Sequence, residues 1–538
     1  MMSEIKRTTC VMCRNGCQLG VVFDGYQYRM EYLMDVAPNN GRTCPRGNSA
    51  SIVIDHPKRL SYPLLNGKET TWDEAFGLIK KWHQDVKPEE IAVVYSRGAG
   101  AAEIGLIRGF AAALGTENLV CGYLEPDNAF RFRLSGVKSA TLDDVSASRA
   151  TLLVGDVFNT SPVAAKRIIE ARYADKQSRM VVIDSIKTRE AGFAHIFIQP
   201  KPGTEFLVLA AIAGLIDAKL KMDIDGIANR TGVPRRQMEE VAQVLKPGVP
   251  GLIACAASTG RVSEPYWHSI CAQILAFKAE KPFVGFGEAL VPDGKIGFGK
   301  LKEALGAGRI KLLFWFGGLH PYSYPELFPE INKVEFRVAT SIFRPENPLP
   351  GLVLPVPSEF EKTGKGESVW GEVKFEPLAN PVSGTRSLAE IVRQFGTVQD
   401  IPGDLFQTVK LEEVTAQLTE TLNRQLNASP SDSGDFFWLL GRKEAIGVGG
   451  FFEPEEEILL HPADAQRMAV TEGDFVKVKS KTAERLFRVK VVSVVAEGTA
   501  SVGVNVHQNR TLFAVEVDPG SGEVKIPPTK VEIWRVSA

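Results

Sequence analysis

Four things are missing from this sequence of 538 residues: a charge excess, a long apolar run, a repeat, and enough cysteine for a disulfide framework. The 63 basic and 64 acidic side chains nearly cancel, so no global field favours nucleic acid or a membrane surface. A partner must instead be recognised by local shape and chemistry. No apolar stretch is long enough to cross a bilayer, so direct membrane insertion is not expected. The opening residues MMSEIKRTTC contain no apolar core of the kind a secretory signal needs, which points to the cytoplasm. Cysteine is scarce, with seven in all. Cys10, Cys13, Cys17 and Cys44 gather near one end, while Cys121, Cys255 and Cys271 are scattered. An odd number so distributed argues against structural disulfides.

What is present is an ordinary globular composition on a chain too long for one hydrophobic core. Short β-branched or apolar runs at 91–96 (IAVVYS), 151–154 (TLLV), 180–183 (MVVI), 252–257 and 310–316 each end in a small or polar residue. Helical stretches at 101–114 and 162–173 alternate with them. This succession predicts parallel sheets covered by helices on both faces. Ligands bind such sheets at the carboxyl ends of the strands, here Ser96-Arg97-Gly98, Gly155-Asp156, Asp184 and Gly317-Gly318. Thr71 and Glu74 form a capping-box pattern at a helix start. After the polar linker 427–434 (NASPSDSG) the pattern changes to short alternating runs, which predict a closing β-barrel.

The four clustered cysteines follow the spacing C-x2-C-x3-C-x26-C. That supplies four thiolates, the number a [4Fe–4S] cubane needs, three from one tight loop and one from a distance. A tetrahedral zinc site is the rival, although zinc more often takes two paired CxxC hairpins.

These cysteines, with Cys44-Pro45-Arg46-Gly47, HPKRLSYPL at 56–64 and TTWDEAF at 70–76, resemble the start of the molybdopterin (bis-guanine-dinucleotide) oxidoreductases. That family includes formate dehydrogenases, nitrate reductases and the B subunit of formylmethanofuran dehydrogenase. The resemblance continues in order along the chain. Gly155, Asp156 and Asn159 look like its first dinucleotide loop, Asp184 and Arg189 like its second, and Gly203 and Glu205 like the segment that follows. Gly317 and Gly318 match a later glycine loop, and 361–364 (EKTG) a later turn. Gly441, Arg442 and Asp464 match the terminal pterin-binding cap.

The resemblance implies an α/β fold with a cluster domain at 1–60, a first dinucleotide domain at 61–125 and 276–426, a second at 126–275, and a β-barrel at 435–538. It implies one [4Fe–4S] cluster on Cys10, Cys13, Cys17 and Cys44, two molybdopterin guanine dinucleotides, and Mo or W. It also places Arg46 between cluster and pterin. The metal ligand is expected at Cys121, or at Glu125 with Asp127 close by if the alignment is anchored differently. A soft thiolate suits a metal already held by dithiolene sulfurs. Formate-oxidising relatives follow the ligand cysteine with histidine, whereas this chain has Gly122.

The activity implied is two-electron oxidation or reduction of formate or a formyl-type C1 substrate. Electrons would pass through the cluster to further iron–sulfur or flavin subunits. The competing expectation is a silent electron-relay or scaffold subunit, like the large iron–sulfur subunit of complex I.

Overall fold

The computed structural model describes residues 4–96, 101–123, 126–318, 327–345, 350–427, 436–442, 456–504, 507–517 and 524–536. The chain begins in a three-stranded antiparallel sheet of Lys6–Thr9, Gln18–Phe23 and Tyr28–Glu31. Its first hairpin pairs Thr9 with Gln18, so Cys10 and Cys17 leave the strands side by side.

The smaller of two main sheets is fully parallel. It runs in the order Ile196–Ile198, Arg179–Ile183, Ala150–Val154, Gly251–Ala256 and Phe283–Phe286. The central runs ATLLV and GLIACA are buried at every position, as strands covered on both faces must be. Alternate residues serve opposite cores. Leu152 and Val154 pack with the helices Glu205–Ile216, Arg235–Leu245 and Pro265–Ala279. Leu153 faces Pro162–Ala174 and Leu142–Ser146 on the other side. The helix EFLVLAAIAGLI is apolar nearly all round, which fits its burial from Glu205 through Ala213.

The larger sheet has the order Lys68–Glu69, Leu64–Leu65, Leu352–Pro355, Phe336–Ser341, Leu312–Phe316, Ile91–Tyr95 and Leu119–Cys121. It is parallel except at Leu64–Leu65 and Lys68–Glu69. Trp72–Gln84 and Ala101–Ala113 cover one face. The expected capping box begins the first of these helices: Glu74 N–H donates to Thr71 Oγ1 at 3.2 Å and Thr71 N–H to Glu74 Oε2 at 3.1 Å. The other face shares one core with the barrel, joining Ala92, Val94 and Trp315 to Phe437, Ile458 and Phe487. The barrel is closed by six strands, Phe437–Arg442, Thr499–Gly503, Glu457–Leu460, Glu484–Val491, Phe475–Lys479 and Thr529–Arg535, so none of these strands is left as an edge.

The architecture departs from the expected boundaries in two places. The division at 275/276 falls inside Pro265–Ala279, and the next strand, Phe283–Phe286, still pairs with Gly251–Ala256 of the smaller sheet. Hydrophobic burial explains the second departure. The helix Leu411–Asn427, expected with the larger sheet, places Val414, Leu418 and Leu422 in the smaller sheet's core. Among the described residues no helix is long and apolar enough to cross a membrane.

Because Leu418 is fully buried in that core, Leu418→Ala should destabilise the smaller-sheet unit by about 2–5 kcal/mol. The expected readout is a lower urea midpoint and faster amide exchange in the helix Glu205–Ile216.

Candidate functional site

The four clustered cysteines line one cavity, closed from the far side by Ser161, Pro162 and Val163. Local backbone geometry brings them there. Cys10 N–H donates to the Cys17 carbonyl at 2.7 Å and closes the loop that carries Cys13. Cys44 caps the short helix Pro45–Asn48 and accepts the Gly47 N–H on its sulfur at 3.4 Å. Asn15 Nδ2 donates to the Cys17 sulfur at 3.0 Å. Burial, with Cys13 nearby, pushes the Cys10 thiol up to about 12, and burial raises Cys17 as well. Left to themselves these groups are neutral thiols. Only a bound cation or cluster would hold them as thiolates.

Arg46 runs from this cavity to the first glycine loop. It is buried, and its Nη2 donates to the carbonyls of Asn159 at 3.0 Å and Thr160 at 2.6 Å. Its Nη1 lies 3.9 Å from Glu288. The adjacent Gly287 accepts the Arg14 N–H at 2.9 Å, and Glu288 N–H donates to Asp127 Oδ2. Residues 287–288, at the carboxyl end of a smaller-sheet strand, therefore touch the cysteine loop, Arg46 and the segment that follows Cys121.

At the carboxyl ends of the neighbouring strands lies a buried charge centre. Gly155 has φ +73°, and a Cβ there would strike the Ala256 carbonyl, so only glycine fits. Asp156 caps the turn Val157–Thr160 and takes the Asn159 N–H at 3.3 Å. Asp184 Oδ2 meets Arg261 Nη1 at 2.8 Å, and Asp156 Oδ2 lies 3.8 Å from the same nitrogen. Glu190 accepts the Phe158 N–H at 3.1 Å, and Glu205 is buried at the start of its helix.

Burial lifts Asp184 to about 6 despite Arg261. It lifts Glu205 to about 8, with Asp184 adding to the rise. Burial also raises Glu190, with Asp156 contributing. Burial works against the charge of Arg261, but the surrounding carboxylates, Asp184 first, overcome it and leave the guanidinium raised. Glu190 Oε2, Arg261 Nη2 and Ser258 Oγ are buried without a hydrogen-bond partner. Buried acceptors and donors left open in this way suit a polar ligand.

Arg261 and Glu190 were missed in the sequence. The strand 252–257 was visible, but its loop Ser258-Thr259-Gly260-Arg261 carries no familiar spacing. Arg189, expected here, is exposed on the outside of its turn, and its neighbour Glu190 faces inward. Gly203, at φ +76°, packs so closely on Ser263 that a Cβ would collide with its hydroxyl.

The barrel docks on the same loop. Gly441 N–H donates to the Gly260 carbonyl at 2.9 Å, and Arg261 Nε donates to the Gly441 carbonyl at 3.2 Å. Arg442 and Asp464 serve the barrel itself: Arg442 Nη1 donates to Ser501 O at 2.7 Å, and Asp464 Oδ2 accepts the Gly498 N–H at 2.8 Å.

On the larger sheet, Cys121 ends its strand beside Tyr95 and is partly exposed. Nearby strand ends gather through Ser96, whose hydroxyl donates to the Gly317 carbonyl at 3.0 Å, while Gly317 N–H donates to Thr340 Oγ1 at 2.9 Å. Gly317 and Gly318 both have positive φ, +92° and +89°. Asp127 is fully buried, and its oxygens hold Tyr123 Oη at 3.2 Å and the Glu288 N–H. Glu125, Arg97 and Gly98 lie outside the described residues.

The raised carboxyl of Glu205 sets the sign of a pH dependence. Between its ordinary value of 4.5 and its folded value of about 8, the folded chain holds a proton that the unfolded chain has released. Its contribution to stability is therefore complete below about pH 4.5 and is lost as pH rises through about 8. Glu205→Gln in ligand-free protein should flatten the fall in Tm between pH 5 and pH 8. An unchanged slope would remove Glu205 from the account.

Comparison with known proteins places these features in a family. A molybdopterin oxidoreductase model matches residues 59–329, half of the chain, and a molybdopterin dinucleotide-binding domain matches residues 445–526. The F420-dependent formate dehydrogenase subunit alpha of Methanocaldococcus jannaschii is 26% identical over 449 residues, covering 77% of this chain and 64% of that protein. The F420-dependent formate dehydrogenase 1 subunit alpha of Methanococcus maripaludis is 28% identical over 265 residues, covering 46% of this chain and 38% of that protein. This chain thus spans less than two thirds of either relative. The solved structure of acetylene hydratase from Pelobacter acetylenicus shares the fold with a TM-score of 0.75 over 99% of this chain and 100% of its own, at 13% identity. The chain, with its two helix-covered main sheets and its closing barrel, belongs to the molybdopterin oxidoreductase family.

Proposed function

We propose that this chain is the pterin-binding subunit of a Mo- or W-dependent oxidoreductase acting on formate or a formyl-type C1 substrate. Electrons would leave through a [4Fe–4S] cluster on Cys10, Cys13, Cys17 and Cys44. The observation that carries this reading is Arg46, which sits in the chain between the cavity-lining Cys44 and Gly47 and donates to the carbonyls of Asn159 and Thr160. Among the described residues no three of the thiols are grouped as a single metal ion would need. What supports a cluster is that four thiols line one cavity and that N–H groups of Gly47 and Asn15 point at two of the sulfurs. Such contacts tune cluster potentials.

Two pterin guanine dinucleotides are supported by the other strand ends. Asp184 and Glu205 would accept from a guanine edge or ribose. The N–H groups of Gly155, Val157, Phe158, Asn159 and Gly317 already donate within the chain, so the Asp156 and Gly318 amides would be the ones to face phosphate oxygens. Arg189, exposed, would approach such a ligand only from outside, and Gly203 would hold the Glu205 turn in place. Gly441 would hold the barrel as a cap, with Arg442 and Asp464 keeping it closed. Bound there, Mo or W would supply a two-electron redox centre, with Cys121 as the thiolate ligand. Glu125 is the alternative ligand, and Asp127 would fix the segment between them. The protein's own work is to exclude water, orient the substrate and keep Arg46 charged between the two centres. Further iron–sulfur or flavin subunits would carry electrons to a final acceptor, in the cytoplasm. The relatives from Methanocaldococcus jannaschii and Methanococcus maripaludis are called F420-dependent formate dehydrogenases.

One observation favours a second reading, a catalytically silent relay. A Cβ at Gly122 would come within 2.8 Å of Val94 and 3.2 Å of Trp315. The strand end as folded has no room there for the histidine that formate-oxidising relatives carry.

Elemental analysis of anaerobically purified protein separates the two readings. The proposal expects about four Fe with one Mo or W and two guanine nucleotides per chain, whereas iron alone favours the relay. Cys13→Ser should abolish the iron–sulfur absorbance, and a colourless wild-type protein holding one zinc would overturn the cluster. Cys121→Ala should keep its iron yet lose formate-dependent dye reduction by more than the 10–100-fold, roughly, that outer-shell changes cost.

A further inference from the structure

Behind the cysteine loop, at the edge of the smaller sheet, lies a second cavity to which the proposed chemistry assigns no role. Its volume is about 60 Å³. One water needs roughly 10–15 Å³ on the same scale, so a group of several heavy atoms fits. Phe130, Leu134, Val137 and Phe283 make apolar walls, and two guanidinium groups, those of Arg14 and Arg133, line it as well.

Neither guanidinium is fully used by the chain. Arg14 is buried, and its Nη1 donates to the Gly285 carbonyl at 2.9 Å, while its Nε is buried with no hydrogen-bond partner. Arg133 is half exposed and lies 3.3 Å over the Phe406 ring. It meets Glu367 only as an ion pair at 3.7 Å, beyond hydrogen-bond distance. Its planar N–H fork, the geometry that matches a carboxylate, is left open. The charges facing the pair are Asp127 and Glu367. They offset the two arginines only in part, since Glu367 stands beyond hydrogen-bond distance and Asp127 already holds Tyr123 Oη and the Glu288 N–H. The residual positive charge suits a monoanion better than a phosphate dianion. A cationic end with apolar walls suits an anion that carries a short hydrocarbon body.

We propose that this cavity binds a small monocarboxylate, its oxygens between Arg14 and Arg133 and its hydrocarbon end against Leu134, Val137 and Phe283. Arg14 stands in the loop between Cys13 and Cys17. An anion held there therefore places negative charge beside the cysteine cavity and lowers the reduction potential of a cluster bound in it. That consequence rests on the proposed cluster. The binding itself does not, and the experiment tests binding alone.

The probe is sodium acetate, titrated calorimetrically into the protein as isolated, with sodium chloride at equal ionic strength as the reference. Saturable acetate binding is expected in wild type. Arg133→Gln should weaken it by about tenfold or more, as loss of a charge-assisted contact does. Val137→Phe, at a half-exposed position, should abolish it by filling the cavity while both charges remain. Circular dichroism confirms that each variant is folded. No saturable acetate binding in wild type, or equal affinity in wild type and both folded variants, would overturn the proposal.

Discussion

The guanidinium of Arg261 is the interaction on which the rest of the molecule depends. It is buried, yet it reaches Asp184 at 2.8 Å, Asp156 at 3.8 Å and the Gly441 carbonyl of the barrel at 3.2 Å. A buried ion pair repays the cost of leaving water only when its remaining donors and acceptors are satisfied. Here several are not, with Glu190 Oε2 and Arg261 Nη2 left open. A folded unit that leaves them open holds a ready-made polar site rather than an optimised core. One cation facing four carboxylic groups supplies more acceptors than donors, which suits a ligand edge rich in N–H and O–H groups.

The same economy recurs at Arg46 and Glu288. Arg46 spends two donors on the backbone of the Asn159–Thr160 turn, and Glu288 lies between it and Asp127. The cysteine loop, the dinucleotide turn and the segment after Cys121 are thereby locked in one rigid relationship. The electron transfer proposed between a pterin and a cluster would need that kind of fixed spacing, and packed helix and strand ends supply it. The glycine positions serve the same end. At Gly155, Gly203 and Gly441 there is no space for a side chain: Gly155 lies against the Ala256 carbonyl of the next strand, Gly203 against the Ser263 side chain, and Gly441 of the barrel against the Thr259 carbonyl beyond the smaller sheet.

Much of this was legible in the residues. The alternation of buried strands and helices announced parallel sheets, because strands covered on both faces must be continuously apolar, whereas the antiparallel edge at Leu64–Leu65 and Lys68–Glu69 was not announced. The Thr71–Glu74 capping box was legible because it closes within four residues. The barrel was legible from its period-2 runs, and the cysteine spacing from its loop length. The boundary at 275/276 was not legible, because nothing local tells an apolar helix which sheet it will cover. Leu411–Asn427 went to the smaller sheet's core for the same reason.

By itself, then, the sequence determined the class of fold, the four thiols and the glycine-marked strand ends, since each depends on neighbours close along the chain. Only the tertiary structure decided which charges meet. Arg261 lies far along the chain from Asp156 and Asp184, Glu190 rather than Arg189 turned inward, and Asp127 was drawn to the Glu288 amide. Those choices follow from burial. Taking a charged group out of water is costly, so its place is set by whichever distant partner the packed fold brings within reach, and no pattern along the chain records that partner.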